Sequence, residues 1–398
     1  MKRQETVAAP HQKLRNLRPG TTLLACLLDP VGPAAIILMP MIVGGLIDSY
    51  GFSEQQAGNI AALEGMGLVI ASILAAAWIR RVAWGKALVV AFLAYALLNV
   101  LSASITAYLP LLLLRCLTGL AGGSVLAVTV AALGDQAEPD RAFGLAQAVQ
   151  GVMMLGAFLA APWLVGNWGV SALFYMLAGA ALLMMPSLSR FPAAGRIREA
   201  GAAGPEQPAG NTGLIWLGLF ASVLFFINVF GFWAFVERIG QAAGLPVQTV
   251  GLALGISQVM AIAGALVAAW ASDRYGRYLP LAVVFVGQAA ALFAVLGDFG
   301  VSTFFVVTGL FQALFIIGVS YQMGAIAKLD THGRYLVTMT AAQGLGAALG
   351  PALAATLIRD GGDYSRIMPM AALLCLFGTV MFLFIVWRSA KIGSSKAA

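Results

Sequence analysis

The stretch Ala268–Leu281, AAWASDRYGRYLPL, sets one carboxylate, two guanidinium groups and a glycine between two long apolar runs. Its meaning depends on what flanks it. Of 398 residues 61% are hydrophobic and only 10% are charged, against roughly a quarter charged in an ordinary soluble protein. The apolar residues fall in runs of about 17 to 25, the length a helix needs to cross a hydrocarbon core. The composition therefore predicts an all-α membrane protein, and the polar stretch is a loop between two spans.

Cutting the chain at its charge and Pro/Gly clusters predicts twelve transmembrane helices, near 21–47, 54–79, 87–107, 109–133, 142–166, 169–187, 213–236, 247–271, 279–297, 301–326, 335–358 and 367–388. The basic start, MKRQETVAAPHQKLRNLRPG, precedes a run long enough to span and shows no small-residue cleavage site, so that run is read as the first span. With the N-terminus in the cytoplasm, 19 of the 23 Lys and Arg residues fall in cytoplasmic segments. That bias obeys the positive-inside rule and predicts both termini on the cytoplasmic side, most simply of a bacterial inner membrane. The net charge of +7 thus reflects topology, and no nucleic-acid partner is expected. Cys26, Cys116 and Cys375 lie inside spans without CxxC spacing and read as small apolar residues.

SRFPAAGRIREAGAAGPEQPAGNTG, between spans six and seven, is polar and Pro/Gly-rich. It reads as a flexible linker. The expected organisation is a tail over 1–20, a six-helix bundle over 21–187, a linker over 188–212, a second bundle over 213–388 and a tail over 389–398. The halves echo each other. AVQG after Arg141 recurs as AAQG after Arg334, both displaced by 193 residues, and AAPWL is answered by LGPAL. A tandem duplication with parallel, pseudo-symmetric halves follows.

SDRYGR, Ser272–Arg277, resembles the cytoplasmic loop motif of the major facilitator superfamily, and RCLTGLAGG, Arg115–Gly123, resembles that family's fourth-span signature. With twelve spans and a central linker, the likeness covers essentially the whole chain. It implies two six-helix bundles rocking around a central site, with the loop latching them on the cytoplasmic side. Asp273 is expected near the N-terminus of span five, where a carboxylate stabilises the unpaired N–H groups, with Arg141 as its ion-pair partner. Gly276 permits the turn, and Arg274 and Arg277 stay at the lipid–water boundary. A purely topogenic basic loop is the alternative. The matching first-half loop, WIRRVAWGK, has no Asp, so the second-half copy is expected to carry the gate.

Ionisable groups at bilayer depth mark functional candidates. Asp29 lies about 12 Å from the cytoplasmic edge of span one and Glu64 about 12 Å from the outer edge of span two, by helical rise, with Arg115 nearer the outside in span four. They read as a proton-coupling set, a role the resemblance to drug/proton antiporters supports for Arg115. A fixed ion-pair network is the other reading. DPVGPAAIILMP predicts a bent first span. Glu237 and Arg238 fall at the outer end of span seven, where they read as a snorkelling pair at the interface, with an outer gate or a first contact for solute as the alternative.

Gln150, Gln258, Gln312 and Gln343 converge near the midplane. With Asn228, Trp233 and Tyr321, and with Phe226 and Phe315, they form the candidate solute site, helix bridging being the alternative for each glutamine. Gly251/Gly255 and Gly346/Gly350 read as close-packing positions. His11 and His332 are the only histidines, and no GxSxG, HExxH or P-loop occurs, so neither an enzyme nor a cofactor is expected. The reading is a monomeric secondary carrier for a small organic solute, driven by protons. The degenerate antiporter-like stretch GAFLAAPWLVG tilts it towards export of an amphipathic compound, over uptake of an organic acid held by Arg115. A channel or a receptor is the rival of another class.

Overall fold

A computed structural model defines residues 19–79, 81–136, 139–192, 212–271, 274–329, 334–358 and 363–397. The expected linker core, 193–211, and Asp273 lie outside the described residues. The first crossing is broken into α1 (Pro19–Leu28), a 3-10 turn (Asp29–Val31), α2 (Ala34–Ile37) and α3 (Met39–Tyr50). The first bundle continues with α4 (Glu54–Trp78), α5 (Trp84–Ser104), α6 (Tyr108–Gly134), α7 (Pro139–Trp168) and α8 (Ser171–Met184), prolonged by a 3-10 segment to Arg190. The second holds α9 (Thr212–Ala242), α10 (Val247–Ala271), α11 (Tyr278–Ala294), α12 (Val301–Leu329), α13 (Arg334–Ala355) and α14 (Ile367–Ala397). The end of the bundles where α1 begins is the terminal side, and the opposite end is the far side.

The broken first crossing follows from its prolines. Pro33 and Pro40 cannot donate to a helix ladder, and Leu38 between them leaves the helical conformation at φ −79°, ψ 6°. Met41 N–H donates to Leu38 O at 3.0 Å, so the Ile37 carbonyl loses its helical partner. Nine described helices are long and apolar enough to cross a membrane, while Gly20–Val31 and Tyr278–Ala294 are shorter apolar helices. At the far side α3 closes on Gly51, in the left-handed region at φ 68°. Ser53 and Gln56 then cap α4 reciprocally, a capping box that satisfies two otherwise orphaned donors.

The two bundles repeat one packing scheme. In the first, α4 packs on α6, α5 on α6 and α5 on α8; in the second, α10 packs on α12, α11 on α12 and α11 on α14. The bundles meet along α4 with α13 and α7 with α10, and at the far side α3 meets α9. In a bilayer apolar burial between helices brings little gain, so close backbone approach through small residues carries the packing. Gly119 shows it: a Cβ there would overlap the carbonyl of Glu64. Gly251 lies under Pro162 and the Phe158 carbonyl, and Gly350 under the backbone of Gly231, in keeping with their reading as packing positions. Large aliphatic side chains such as Val90, Leu183 and Leu266 remain on the outer surface, where lipid covers them.

Candidate functional site

Four glutamines line a narrow cavity of about 100 Å³ at the seam of the bundles, Gln147 and Gln150 from α7, Gln258 from α10 and Gln312 from α12. Phe230, Trp233 and Phe315 supply aromatic wall and Ile37 the side of the broken crossing. No charged side chain is among the described residues that line it. Of the candidate solute residues, Gln150, Trp233, Gln258 and Gln312 are brought together here. Phe315 joins them, whereas Phe226 packs edge-on against it at 5.5 Å outside the lining, and three more candidates stand elsewhere. Asn228 is fully buried and donates to Gln288 Oε1 at 3.2 Å, a helix bridge within the second bundle. Tyr321 and Gln343 are buried outside the lining. Gln147 was missing from the expected set, although its place three residues before Gln150 puts both amides on one helix face.

The expected acid–base set is divided between two levels. Arg115, fully buried, pairs with Glu64 through Nε at 3.2 Å and through Nη2, and donates from Nη1 to Asn99 Oδ1 at 2.9 Å. Its guanidinium lies 4.8 Å from the centre of the Phe174 ring. The fourth-span signature explains this geometry: Gly119, one turn from Arg115, lets α6 touch α4 at Glu64 itself. Asp29 is elsewhere, its Oδ1 accepting from Thr129 Oγ1 at 2.6 Å. Thr129 and Arg115 are 14 residues apart on α6, which the helical rise converts to about 21 Å. Depths counted from opposite membrane edges had made the carboxylates look closer than they are.

The duplication sharpens the contrast. Ser222 and Gln322 stand 193 residues after Asp29 and Thr129, and Ser222 Oγ donates to Gln322 at 3.1 Å. Glu64 and Arg115 correspond in the same register to Ser257 and Thr308, whose hydroxyls bond carbonyls of their own helices at 2.7 and 2.8 Å. The same two places in the fold hold charge in the first bundle and hydroxyls or an amide in the second.

The far side of the cavity is closed by α9 against the broken crossing. Trp233 Nε1 donates to the freed Ile37 carbonyl at 3.0 Å. One turn beyond, Arg238 donates to the Gly44 carbonyl and pairs with Asp48 at 2.6 Å. Glu237, 2% exposed, packs its carboxylate against Gly44, accepts from Gln241 and lies 3.5 Å from Arg238 Nε. These two residues are thus a clasp between the bundles rather than a snorkelling pair, because α9 continues six residues past the expected end of span seven.

On the terminal side Gly276 adopts φ 63°, as the expected turn requires. Arg274 stacks on Trp270 at 5.1 Å, and Arg277 lies over Gly324 of α12, whose missing side chain leaves it room. Arg141 is exposed near the start of α7. Gly276 and these arginines keep their places on one side, but a bond from Asp273 falls outside the described residues.

Two repeated bundles of apolar helices meet at a polar cavity with no charge among its described lining residues, which is the architecture of a membrane transporter. The Major Facilitator Superfamily profile matches residues 31–217 and again 218–397. The chain belongs to that family. No curated protein matches it by sequence. Among solved structures it is similar to the D-xylose–proton symporter at TM-score 0.71 and 16% identity, with 90% of this chain and 96% of that one covered. A variant of the nucleoside transporter NupG superposes at TM-score 0.73 and 14% identity over 92% and 99% of the two chains. A bacterial homologue of the human lysosomal transporter Spinster, inward-facing and unoccupied, superposes at TM-score 0.70 and 13% identity over 93% and 98%. At such identities the likeness is one of fold.

Proposed function

We propose that the protein is a proton-coupled secondary carrier for an uncharged or weakly polar, amphipathic organic solute, working by alternating access as a monomer. The observation that carries this reading is the cavity itself: amide donors and acceptors from both bundles, aromatic wall and no charge among the described lining residues. Such a lining offers hydrogen bonds and apolar contact but no counter-ion. The sugar and nucleoside named for two fold relatives are likewise solutes recognised without a full charge, which supports the reading by analogy of fold alone. Uptake of an organic acid is the weaker alternative, since Arg115 is buried with its guanidinium held by Glu64 and Asn99.

Coupling is assigned to the first bundle, where the duplication retained charge. Protonating Glu64 leaves the Arg115 guanidinium buried without its counter-ion, a cost of about 3–5 kcal/mol when such a pair is broken. Asp29 is different. Its bonded partner is a hydroxyl, so it can be neutral without stranding a buried cation. Asp29 therefore takes and releases the driving proton, and Glu64 with Arg115 holds α4 and α6 as one body and responds when water reaches the pair. Trp233 links solute to gate, being at once cavity wall and donor to Ile37. A solute that displaces its indole frees the far side to open. Export is favoured by the degenerate Ala161-Pro162 signature in α7, and Asp273 with Arg141 is the terminal-side latch formed when the far side opens.

The test is a thermal-stability screen of amphipathic compounds on purified protein, followed by pH-gradient-driven flux of the hits in liposomes. A hit whose counterflow is saturable and whose accumulation follows the gradient supports the proposal. Stabilisation only by carboxylates, or flux that never saturates, removes it.

A further inference from the structure

A furrow of about 820 Å³ runs down the outer face of the first bundle, remote from the seam. Its floor is small: Ala87, Ala91 and Ala94 from α5, Ala121 and Ser124 from α6. Its rims are the exposed side chains of Val90 and Leu117, with Leu98 at the deep end. Along α5 the lining recurs from Lys86 to Leu98, about 18 Å by helical rise, which is close to one leaflet of a core about 30 Å thick. Among the described residues the one charged lining side chain is Lys86, exposed at the terminal-side mouth beside Trp78 and Val82. Arg81, also exposed, lies on the turn that leads into it.

We propose that this furrow is a binding site for one anionic phospholipid, its phosphate at Lys86 and one acyl chain laid along α5 and α6. A leaflet-long apolar trough that ends in a cation at the interface matches a lipid in length, polarity and charge. Among the described residues, no acid lines the furrow to offset the cation. Basic pockets between spans on the inner side of a membrane hold anionic headgroups in this way. The duplication argues against a generic feature of the bundles, since the residue 193 positions after Lys86 is Leu279. A bound lipid would brace the outer side of α5 and α6, the two helices that supply Asn99 and Arg115 to the buried pair.

Native mass spectrometry and thermal unfolding of the full chain in detergent test the site, with phosphatidylglycerol, phosphatidylcholine and inorganic phosphate added separately. The wild type should retain one phosphatidylglycerol and unfold at a higher temperature with it than with phosphatidylcholine, and free phosphate should do nothing. Lys86→Gln should weaken retention about fivefold, as loss of one interfacial lysine does, while its stability in phosphatidylcholine is unchanged. Ala94→Phe should fill the furrow and abolish the increment with the charge intact; should that variant fold poorly, Lys86→Gln alone decides. Equal retention by wild type and Lys86→Gln, equal effect of the zwitterionic lipid, or a second copy of the chain in place of lipid would each overturn the assignment.

Discussion

The Thr129 hydroxyl donates to Asp29 Oδ1 at 2.6 Å, joining α6 to the 3-10 turn that interrupts the first crossing. In the second bundle the equivalent bond joins Ser222 to Gln322. Both pairs are 100 residues apart in sequence. One architectural node has therefore been kept twice, with an ionisable group in one copy only. A purely structural bond would be served by either chemistry, and of the two nodes where only the first bundle is ionisable, the one at Asp29 can become neutral without stranding a buried cation.

The buried pair predicts a non-additive stability cycle. Glu64→Gln strands the Arg115 guanidinium and should cost about 3–5 kcal/mol, whereas replacing both residues with Gln and Met should cost much less than the single change. Chemical or thermal unfolding in detergent measures it. Additive losses would mean that the two side chains do not depend on each other.

Gly119→Ala should destabilise by about 1–3 kcal/mol through overpacking, since the new methyl group overlaps the Glu64 carbonyl. Gly156→Ala is the control, because nothing lies within 4 Å of a Cβ built there. An alanine at that helical position should be neutral or slightly stabilising. Equal effects at both sites would remove Gly119 as the contact that sets α6 on α4.

The far-side clasp predicts an order of effects. Asp48 is 53% exposed, so its bond to Arg238 is screened by water, and Asp48→Asn should change the closed-to-open ratio by no more than about 1 kcal/mol. Arg238→Met removes the Gly44 bond as well and leaves Glu237 buried without a cation, so its shift should be larger. The readout is far-side labelling of a cysteine at Met41, with Cys26, Cys116 and Cys375 replaced. A larger effect from Asp48→Asn would place the closure in the exposed pair instead.

Within the cavity, Gln258→Leu and Gln312→Leu should each raise the KM for a transported solute about two- to tenfold, the worth of one hydrogen bond. Gln343→Leu, outside the lining, should leave KM unchanged. Trp233→Phe keeps the ring but loses the Ile37 bond, and should increase far-side labelling with little change in KM.

The architecture was legible because bilayer thickness imposes one length on every crossing, and a run of apolar residues with charged ends displays that length directly. The bend at DPVGPAAIILMP was equally plain, since proline removes a donor wherever it stands. What the bend accomplishes was not: only the folded chain shows that the freed Ile37 carbonyl meets an indole on α9. For Glu237 and Arg238 the snorkelling reading outweighed the outer gate for the same reason, as the partners of Arg238 are a backbone carbonyl and a carboxylate about 190 residues away. Glutamine depth found most of the cavity, yet depth carries no azimuth, so Asn228 and Gln343 were grouped with residues that face another way. Asp29 and Glu64 were joined by depth alone, and helix direction separates them.

Solute flux in liposomes, comparing wild type with Asp29→Asn under an imposed pH gradient and in gradient-free counterflow, tests the division of labour most directly. Asparagine can still accept from Thr129 but cannot carry a proton. The account predicts that accumulation driven by the gradient disappears while counterflow persists. Gradient-driven accumulation that survives in Asp29→Asn would contradict it.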